Sequence, residues 1–177
     1  MSMTTRRRLI ASLLAGGAVV AAAPLFAGHA SAADNAAPPH RDAADNAALN
    51  ACLERESRMV ATYRSIIGGL ADNDLVAMTL ILDHHIAYAH SLKGYLAVEA
   101  ETPSSAPLAS PIGSLASIAR QLAALENSTA TIHTDTIGSI KGLDAAMLLA
   151  SIVTVEARHA AALELIAGAT PIAAVGN

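Results

Sequence analysis

The stretch DAAMLLASIVTVEARHAAALELIA, residues 144–167, carries apolar residues at steps of three and four along its whole length. Such steps place side chains on one face of an α-helix, because the helix turns by about 100° per residue. Two ionisable residues, Glu156 and His159, lie on this same face near the middle of the stretch. Gly142 before it and Gly168 after it indicate the ends of the helix. The stretch therefore predicts a core helix that buries two polar groups.

Three further segments show helical spacing, over residues 46–70, 74–100 and 111–140. Glycine or proline residues separate them, and the connection before the third segment contains Pro103, Pro107 and Pro111. The chain has no Trp, 1 Phe and 3 Tyr. A core of Ala, Leu, Ile, Val and Met favours packed helices over a sheet, whose interior usually recruits aromatic side chains. Four helices with one apolar face each predict an all-α four-helix bundle.

The lengths of the connections predict how the helices pair. The first and last connections are only a few residues long, so helices 1 and 2, and helices 3 and 4, are expected to form antiparallel hairpins. The proline-containing connection between the hairpins has about 11 residues and can span about 35 Å if it is extended. That length permits a crossover along most of the bundle, and the sequence leaves open whether one occurs.

Each predicted helix carries an ionisable group near the middle of its apolar stripe. These groups are Glu56 on the first helix, His85 on the second, Glu126 on the third, and Glu156 with His159 on the fourth. A buried carboxylate costs several kcal/mol unless it is paired, and the basic residues fall mostly on other faces. Counting about 1.5 Å per residue from the turns brings Glu56, His85, Glu126 and Glu156 to similar depths. Because carboxylates and imidazoles together suit iron, manganese or zinc, they predict a metal site in the bundle core.

Residues 156–159, Glu-Ala-Arg-His, form a Glu-x-x-His motif, and with Glu56 and Glu126 they resemble the ferritin-like superfamily of carboxylate di-iron bundles. That superfamily takes one Glu from each of helices 1 and 3, and a Glu-x-x-His from each of helices 2 and 4. The resemblance implies iron as the metal and His85 as the imidazole of helix 2. Leu82 stands where the second Glu-x-x-His would have its Glu. The resemblance therefore implies a mononuclear or asymmetric site rather than a complete di-iron centre.

Other polar residues near the stripes receive less specific interpretations. His133 lies two turns after Glu126, too far along the axis to share one metal with it, and is interpreted as a satisfied core or rim histidine. Asp83 and His84 are interpreted as surface residues or as supports for a ligand. Cys52 is the only cysteine, so it forms no internal disulfide and is expected in the core.

Two alternative functions remain open on sequence grounds. Residues 89–94, Ala-His-Ser-Leu-Lys-Gly, resemble the phosphorylated helix of histidine phosphotransfer domains, which would make His90 the phosphorylated residue. The resemblance ends after Gly94, where Tyr95 and Leu96 replace the small residues of that family. The other alternative is a non-catalytic exported structural or stress protein whose degenerate site binds metal weakly or not at all. Absence of metal after native purification would favour the structural protein over an iron-handling protein, whereas a cytoplasmic localisation would favour the phosphotransfer domain.

The first 32 residues show the basic start, apolar run and small-residue end of a secretory signal. Thr5-Arg-Arg-Arg-Leu-Ile10 resembles the bacterial twin-arginine signature, and Ala30-Ser-Ala32 fits the cleavage pattern. The sequence thus predicts a signal peptide at 1–32, a flexible leader at 33–45, the helical domain at 46–168 and a tail at 169–177. The mature protein is expected in the periplasm or secreted, by a route that carries folded proteins, often with a cofactor bound.

The charge balance restricts the partners. The chain has 11 Lys and Arg against 15 Asp and Glu, and the signal would remove Arg6, Arg7 and Arg8 but no acidic residue. An acidic mature protein is not expected to bind nucleic acid, which requires clustered Lys and Arg. No membrane association is expected once the signal is cleaved. A metal ion is the expected partner, while assembly into a homo-oligomer, catalysis and any substrate are left open.

Overall fold

The computed structural model describes residues 42–169, apart from the side chains of residues 72–74. This part of the chain contains four long helices and no strand. The helices are α1 (Asn46–Ile67), α2 (Asp72–Leu96), α3 (Leu115–Ile137) and α4 (Leu143–Ile166). The predicted all-α four-helix fold is confirmed. The predicted signal peptide, most of the predicted leader and residues 170–177 of the predicted tail lie outside the described residues.

The third helix starts later than its sequence pattern indicated. Ser114 is its N-cap, and the Ser114 hydroxyl accepts a hydrogen bond from the Ser117 N–H at 3.3 Å. Gly113 precedes this cap with φ of 109°, in the left-handed region that favours glycine. The backbone therefore turns into the helix after Gly113, and residues 111–113 belong to the connection.

The connection between α2 and α3 crosses over along α1. Near the start of α1, the Asn50 side chain donates to the Glu99 carbonyl and accepts from the Glu101 N–H, both at 2.9 Å. Near the end of α1, the Thr62 hydroxyl accepts from the Leu108 N–H at 2.9 Å. The connection therefore runs from one end of the bundle towards the other. Within each hairpin the helices are antiparallel, whereas α2 and α3 run in the same direction, which answers the question that the sequence left open.

The turn between α3 and α4 is attached to the start of α1 by Asp45. The Asp45 carboxylate accepts from the backbone N–H of Lys141 at 3.0 Å and of Gly142 at 2.7 Å. Asp45 is the N-cap residue of α1, but its side chain makes no cap hydrogen bond to that helix. The preceding 3-10 turn is capped by Asp42, whose side chain accepts from the Ala44 N–H. The Asp45 side chain thus connects the two hairpins and does not cap α1.

Two apolar clusters fill the bundle core on either side of a polar layer. One cluster is built from Leu49, Cys52, Leu53, Tyr88, Leu92, Leu149 and Ile152, with others. The second contains Met59, Tyr63, Met78, Ile81, Leu122 and Leu163, with others. Cys52 is buried, as expected. By length and composition α4 is apolar enough to cross a membrane, as core helices also are, and 50% of its most apolar stretch is buried within the bundle.

Candidate metal centre

The five predicted ligand residues meet in the polar layer, and all of them are fully buried. His85 contacts carboxylates from two helices, with its Nδ1 at 2.7 Å from Glu56 Oε2 and its Nε2 at 3.0 Å from Glu126 Oε1. His159 Nδ1 lies 3.2 Å from the other Glu126 oxygen, Oε2. Glu156 completes the set from α4. These five side chains, which the stripe positions place on the core faces of their helices, lie close together in the structure.

His133, interpreted from the sequence as a core or rim histidine, lies in the core and joins the polar layer. Its side chain is fully buried. Its Nδ1 lies 3.2 Å from Glu156 Oε2 and its Nε2 lies 3.6 Å from Glu56 Oε1. Nε2 has no hydrogen-bond partner within the described part of the chain. Along the bundle axis, His133 lies at the level of Glu56 and Glu156 and not at the level of Glu126. Its distance from Glu126 along α3 therefore did not show that it would reach these two carboxylates.

The layer contains two groups of three potential ligands. His85, Glu126 and His159 form one group, and Glu56, His133 and Glu156 form the other. Within each group, one ligand atom from every residue lies within 4.8 Å of the others. Leu82, in place of the expected α2 glutamate, is only partly buried against the apolar cluster around Tyr63. Position 82 therefore contributes to the apolar cluster, and the third side chain of the second group is His133 from α3.

Unpaired polar atoms distinguish the second group. Glu56 Oε1, His133 Nε2 and Glu156 Oε1 are buried without a hydrogen-bond partner among the described residues, as is the Tyr88 hydroxyl. Each buried and unpaired polar group costs about 1–3 kcal/mol, so such atoms usually mark an ion or a water. Three of the four atoms belong to one potential ligand group. A cation among them would satisfy all three, and their oxygen and nitrogen donors suit iron, manganese or zinc.

Neighbouring side chains hold the ligands in place. The Tyr63 hydroxyl donates to Glu126 Oε1 at 2.5 Å, and the Tyr63 ring stacks on His85 with 5.4 Å between centroids. His84 Nδ1 lies 2.8 Å from His159 Nε2, and these two rings also stack. His84 therefore supports a ligand, whereas Asp83 is exposed. Tyr63 lies on the buried face of α1, but helical spacing alone does not show where its hydroxyl points.

Within the described residues, the ligand carboxylates pair with histidines and with no Lys or Arg. Burial alone would raise the pKa of Glu126, but the His85 and His159 imidazoles outweigh burial and hold this pKa well below its usual range. Burial opposes a charged His85, yet the Glu126 and Glu56 carboxylates raise the pKa of His85 well above its usual value. Without a metal, a proton on His85 thus stabilises the two carboxylates that it contacts.

The second group binds protons tightly as well. Burial, followed by the Glu56 carboxylate, raises the pKa of Glu156 to about 8, although His133 opposes this rise. Burial opposes a charged His133, but contacts with Cys52, Glu156 and Glu56 raise the pKa of His133 to about 10. Metal ions compete with protons for such ligands, so binding releases protons and strengthens as the pH rises.

The metal-free protein should lose stability as the pH rises from about 6 to about 10. The folded pKa values of Glu156 and His133, about 8 and about 10, exceed the ordinary values of 4.5 and 6.5. A raised pKa contributes stability below the unfolded value, and this contribution is lost as the pH passes the folded value. Urea unfolding midpoints in chelator at three pH values test this. A midpoint that increased with pH would contradict it, and bound metal should weaken the dependence.

His90 lies apart from the metal centre. Its side chain is exposed on α2 and lines a cavity with Lys93, which is also exposed. None of the six residues of the two ligand groups lines this cavity. The stretch that resembles a phosphotransfer motif therefore belongs to the outer surface of the bundle, while His85, five residues earlier, belongs to the core.

Comparisons with known proteins agree with this architecture. The model of the family described as ferritin-like domain matches residues 44–169, which include all four helices and both ligand groups. The crystal structure of a conserved hypothetical protein from Mycobacterium tuberculosis is similar, with a TM-score of 0.63 and 24% sequence identity over 76% of this chain and 97% of that chain. At that identity the likeness shows the fold alone. No curated protein matches the chain.

Proposed function

The chain belongs to the ferritin-like domain family, and on that premise we propose that it is an exported protein that binds iron, or a similar metal, in its bundle core. The proposed ligands are the five predicted residues, Glu56, His85, Glu126, Glu156 and His159, with His133 as a sixth. The observation that carries the proposal is the convergence of three buried and unpaired ligand atoms from Glu56, His133 and Glu156.

The two ligand groups support a site for two ions rather than one. Each group offers three side chains, which leaves coordination positions for solvent or substrate on each ion. Tyr63 orients Glu126 through its hydroxyl, and His84 orients His159 through its ring nitrogen. The apolar clusters on both sides of the layer restrict the access of water. Iron bound there would supply ferrous and ferric redox chemistry, which suits iron handling or protection against oxidative stress.

Elemental analysis of the mature protein, purified without oxygen, is the experiment that tests this function. We expect about two metal ions per chain, mostly iron, because the layer holds two groups of three ligands. Glu156→Gln should lower the metal content, because it removes a charge and a ligand oxygen from the second group. His90→Gln is the matched control on the exposed surface and should leave the content unchanged. A metal content below about 0.2 ions per chain in the parent protein would contradict the proposal.

A non-catalytic structural or stress protein is the second candidate. Leu82 favours it, because the family resemblance implies a carboxylate at that position. The hydrogen bonds of His85 to Glu56 and Glu126 also favour it, because they partly satisfy the first group without a metal. This candidate predicts a parent protein that is well folded, monodisperse and nearly free of metal, so the same elemental analysis separates the two.

We also propose export by the twin-arginine route, on the strength of residues 5–10. That route carries folded proteins, so the metal would be loaded before export. Changing Arg6 and Arg7 to Lys should leave unprocessed precursor in the cytoplasm, as immunoblots of cell fractions would show. Normal processing of the double variant would point to the general secretory route instead.

A further inference from the structure

A cavity of about 610 Å³ lies between α1, α2 and the crossover connection. Its volume falls in the range of about 300–1,000 Å³ that is typical of small-molecule sites. Most of its surface is apolar, and the apolar residues that line it include Leu53, Val60, Ala61, Ile86, Ala89 and Pro107. It contains none of the metal ligands, so it is a separate candidate site on the outer face of the first hairpin.

Basic side chains surround this apolar floor. Arg64 comes from α1, and His90 and Lys93 come from α2. No Asp or Glu is among the residues of the described chain that line the cavity. Glu54, next to Leu53 in sequence, directs its carboxylate to the Ser104 N–H at 2.6 Å. The cavity therefore gathers positive charge in a chain whose formal net charge is -4, which favours an anionic ligand.

The cavity is elongated along the helices. The contact between Glu56 and His85 fixes the register of the antiparallel pair, so His90 lies at about the level of residue 51 on α1. Arg64 is 13 residues further along α1, a separation of about 20 Å at 1.5 Å per residue. Arg64 therefore lies towards one end of the apolar groove, and His90 and Lys93 lie towards the other end. That shape fits a long apolar chain with a charged head better than a compact anion.

Hydrogen bonds hold the wall of the cavity in place. Arg58 donates to the carbonyls of Ala106 and Pro107, at 3.2 and 3.3 Å, and Thr62 accepts from Leu108. These bonds attach the connection to α1 along the length of the groove. A wall that is fixed before binding lowers the entropic cost of ordering the site around a ligand.

We propose that this cavity binds an elongated amphiphilic anion, a fatty-acid-type carboxylate, with its acyl chain on the apolar floor and its carboxylate near Lys93 and His90. The proposal also accounts for the stretch that resembles a phosphotransfer motif, whose His90 and Lys93 line one end of the groove. It does not depend on the metal centre.

Isothermal titration of the mature, metal-loaded protein with dodecanoate below its micellar concentration tests the proposal. We expect saturable binding of one dodecanoate per chain. Lys93→Gln should weaken binding about fivefold, which is the size of one exposed charge contact. Lys141→Gln, in the exposed turn between α3 and α4, is the matched control and should bind as the parent does. Ala61→Phe should obstruct the floor and lower the affinity further, while an unchanged circular dichroism spectrum and metal content show that the bundle is intact.

Dodecyltrimethylammonium, with the same chain and the opposite charge, is the control ligand. Equal binding of this cation and of dodecanoate would overturn the proposal, because the groove would then be a general apolar surface. Unchanged affinity in Lys93→Gln, or no saturable binding at all, would overturn it too. Loss of metal with intact dodecanoate binding would count only against the proposed metal function, so the two proposals can fail separately.

Discussion

Glu126→Ala should destabilise the metal-free protein by about 3–5 kcal/mol, the usual cost of removing one partner from a buried charged network. Glu126 is fully buried and contacts Tyr63, His85 and His159 at once. Its removal leaves the Tyr63 hydroxyl without its acceptor and takes from His85 and His159 the carboxylate that they share. Urea unfolding in chelator near pH 6, followed by circular dichroism, measures the loss in the free energy of unfolding.

Glu164→Ala is the matched control for this change, because Glu164 is exposed on α4. Its effect should stay within about 0.5 kcal/mol, as is usual for surface substitutions. Glu126→Gln separates charge from volume: it keeps the size of the side chain, so a loss that persists in this variant comes from the missing charge. A loss below about 1 kcal/mol in Glu126→Ala would contradict the network that the distances describe.

His133→Ala should lower the metal content of the protein by about one ion per chain. The substitution removes the only imidazole of the second ligand group and leaves Glu56 and Glu156 alone. The first group, around Glu126, keeps all its members. Elemental analysis after anaerobic reconstitution with ferrous iron measures the change, and His90→Ala, an exposed histidine, is the control.

A double variant tests whether His133 takes over from the missing α2 glutamate. Leu82→Glu, combined with His133→Ala, restores the carboxylate three residues before His85 that the ferritin-like resemblance implies. Its metal content should return towards two ions per chain, above that of His133→Ala alone. No recovery, together with a lower melting temperature, would show that position 82 does not face the ligand layer. Full metal content in His133→Ala would exclude His133 as a ligand.

For the site residues, helical periodicity predicted which side chains face the core but not which residues they contact. A stripe position shows that Glu56 or His159 faces the core, because the turn per residue is a local property of any α-helix. Five buried ligand-type residues were therefore identified from spacing alone. The same spacing placed His133 on the core face, but its partners depend on the axial offset between α3 and its neighbours. An axial shift of two helical turns, about 10 Å, determines whether His133 lies near Glu126 or near Glu56 and Glu156.

The amino-acid sequence by itself determined the helical content, the faces that enter the core and five of the buried carboxylate and histidine residues, because these follow from spacing within single helices. Only the tertiary structure decided the crossover, the attachment of Asp45 to the turn at Gly142, and the completion of a second ligand group by His133. Each of these depends on how one helix or connection is offset and rotated against another. That arrangement is set by side-chain packing across the whole bundle, which no single segment specifies.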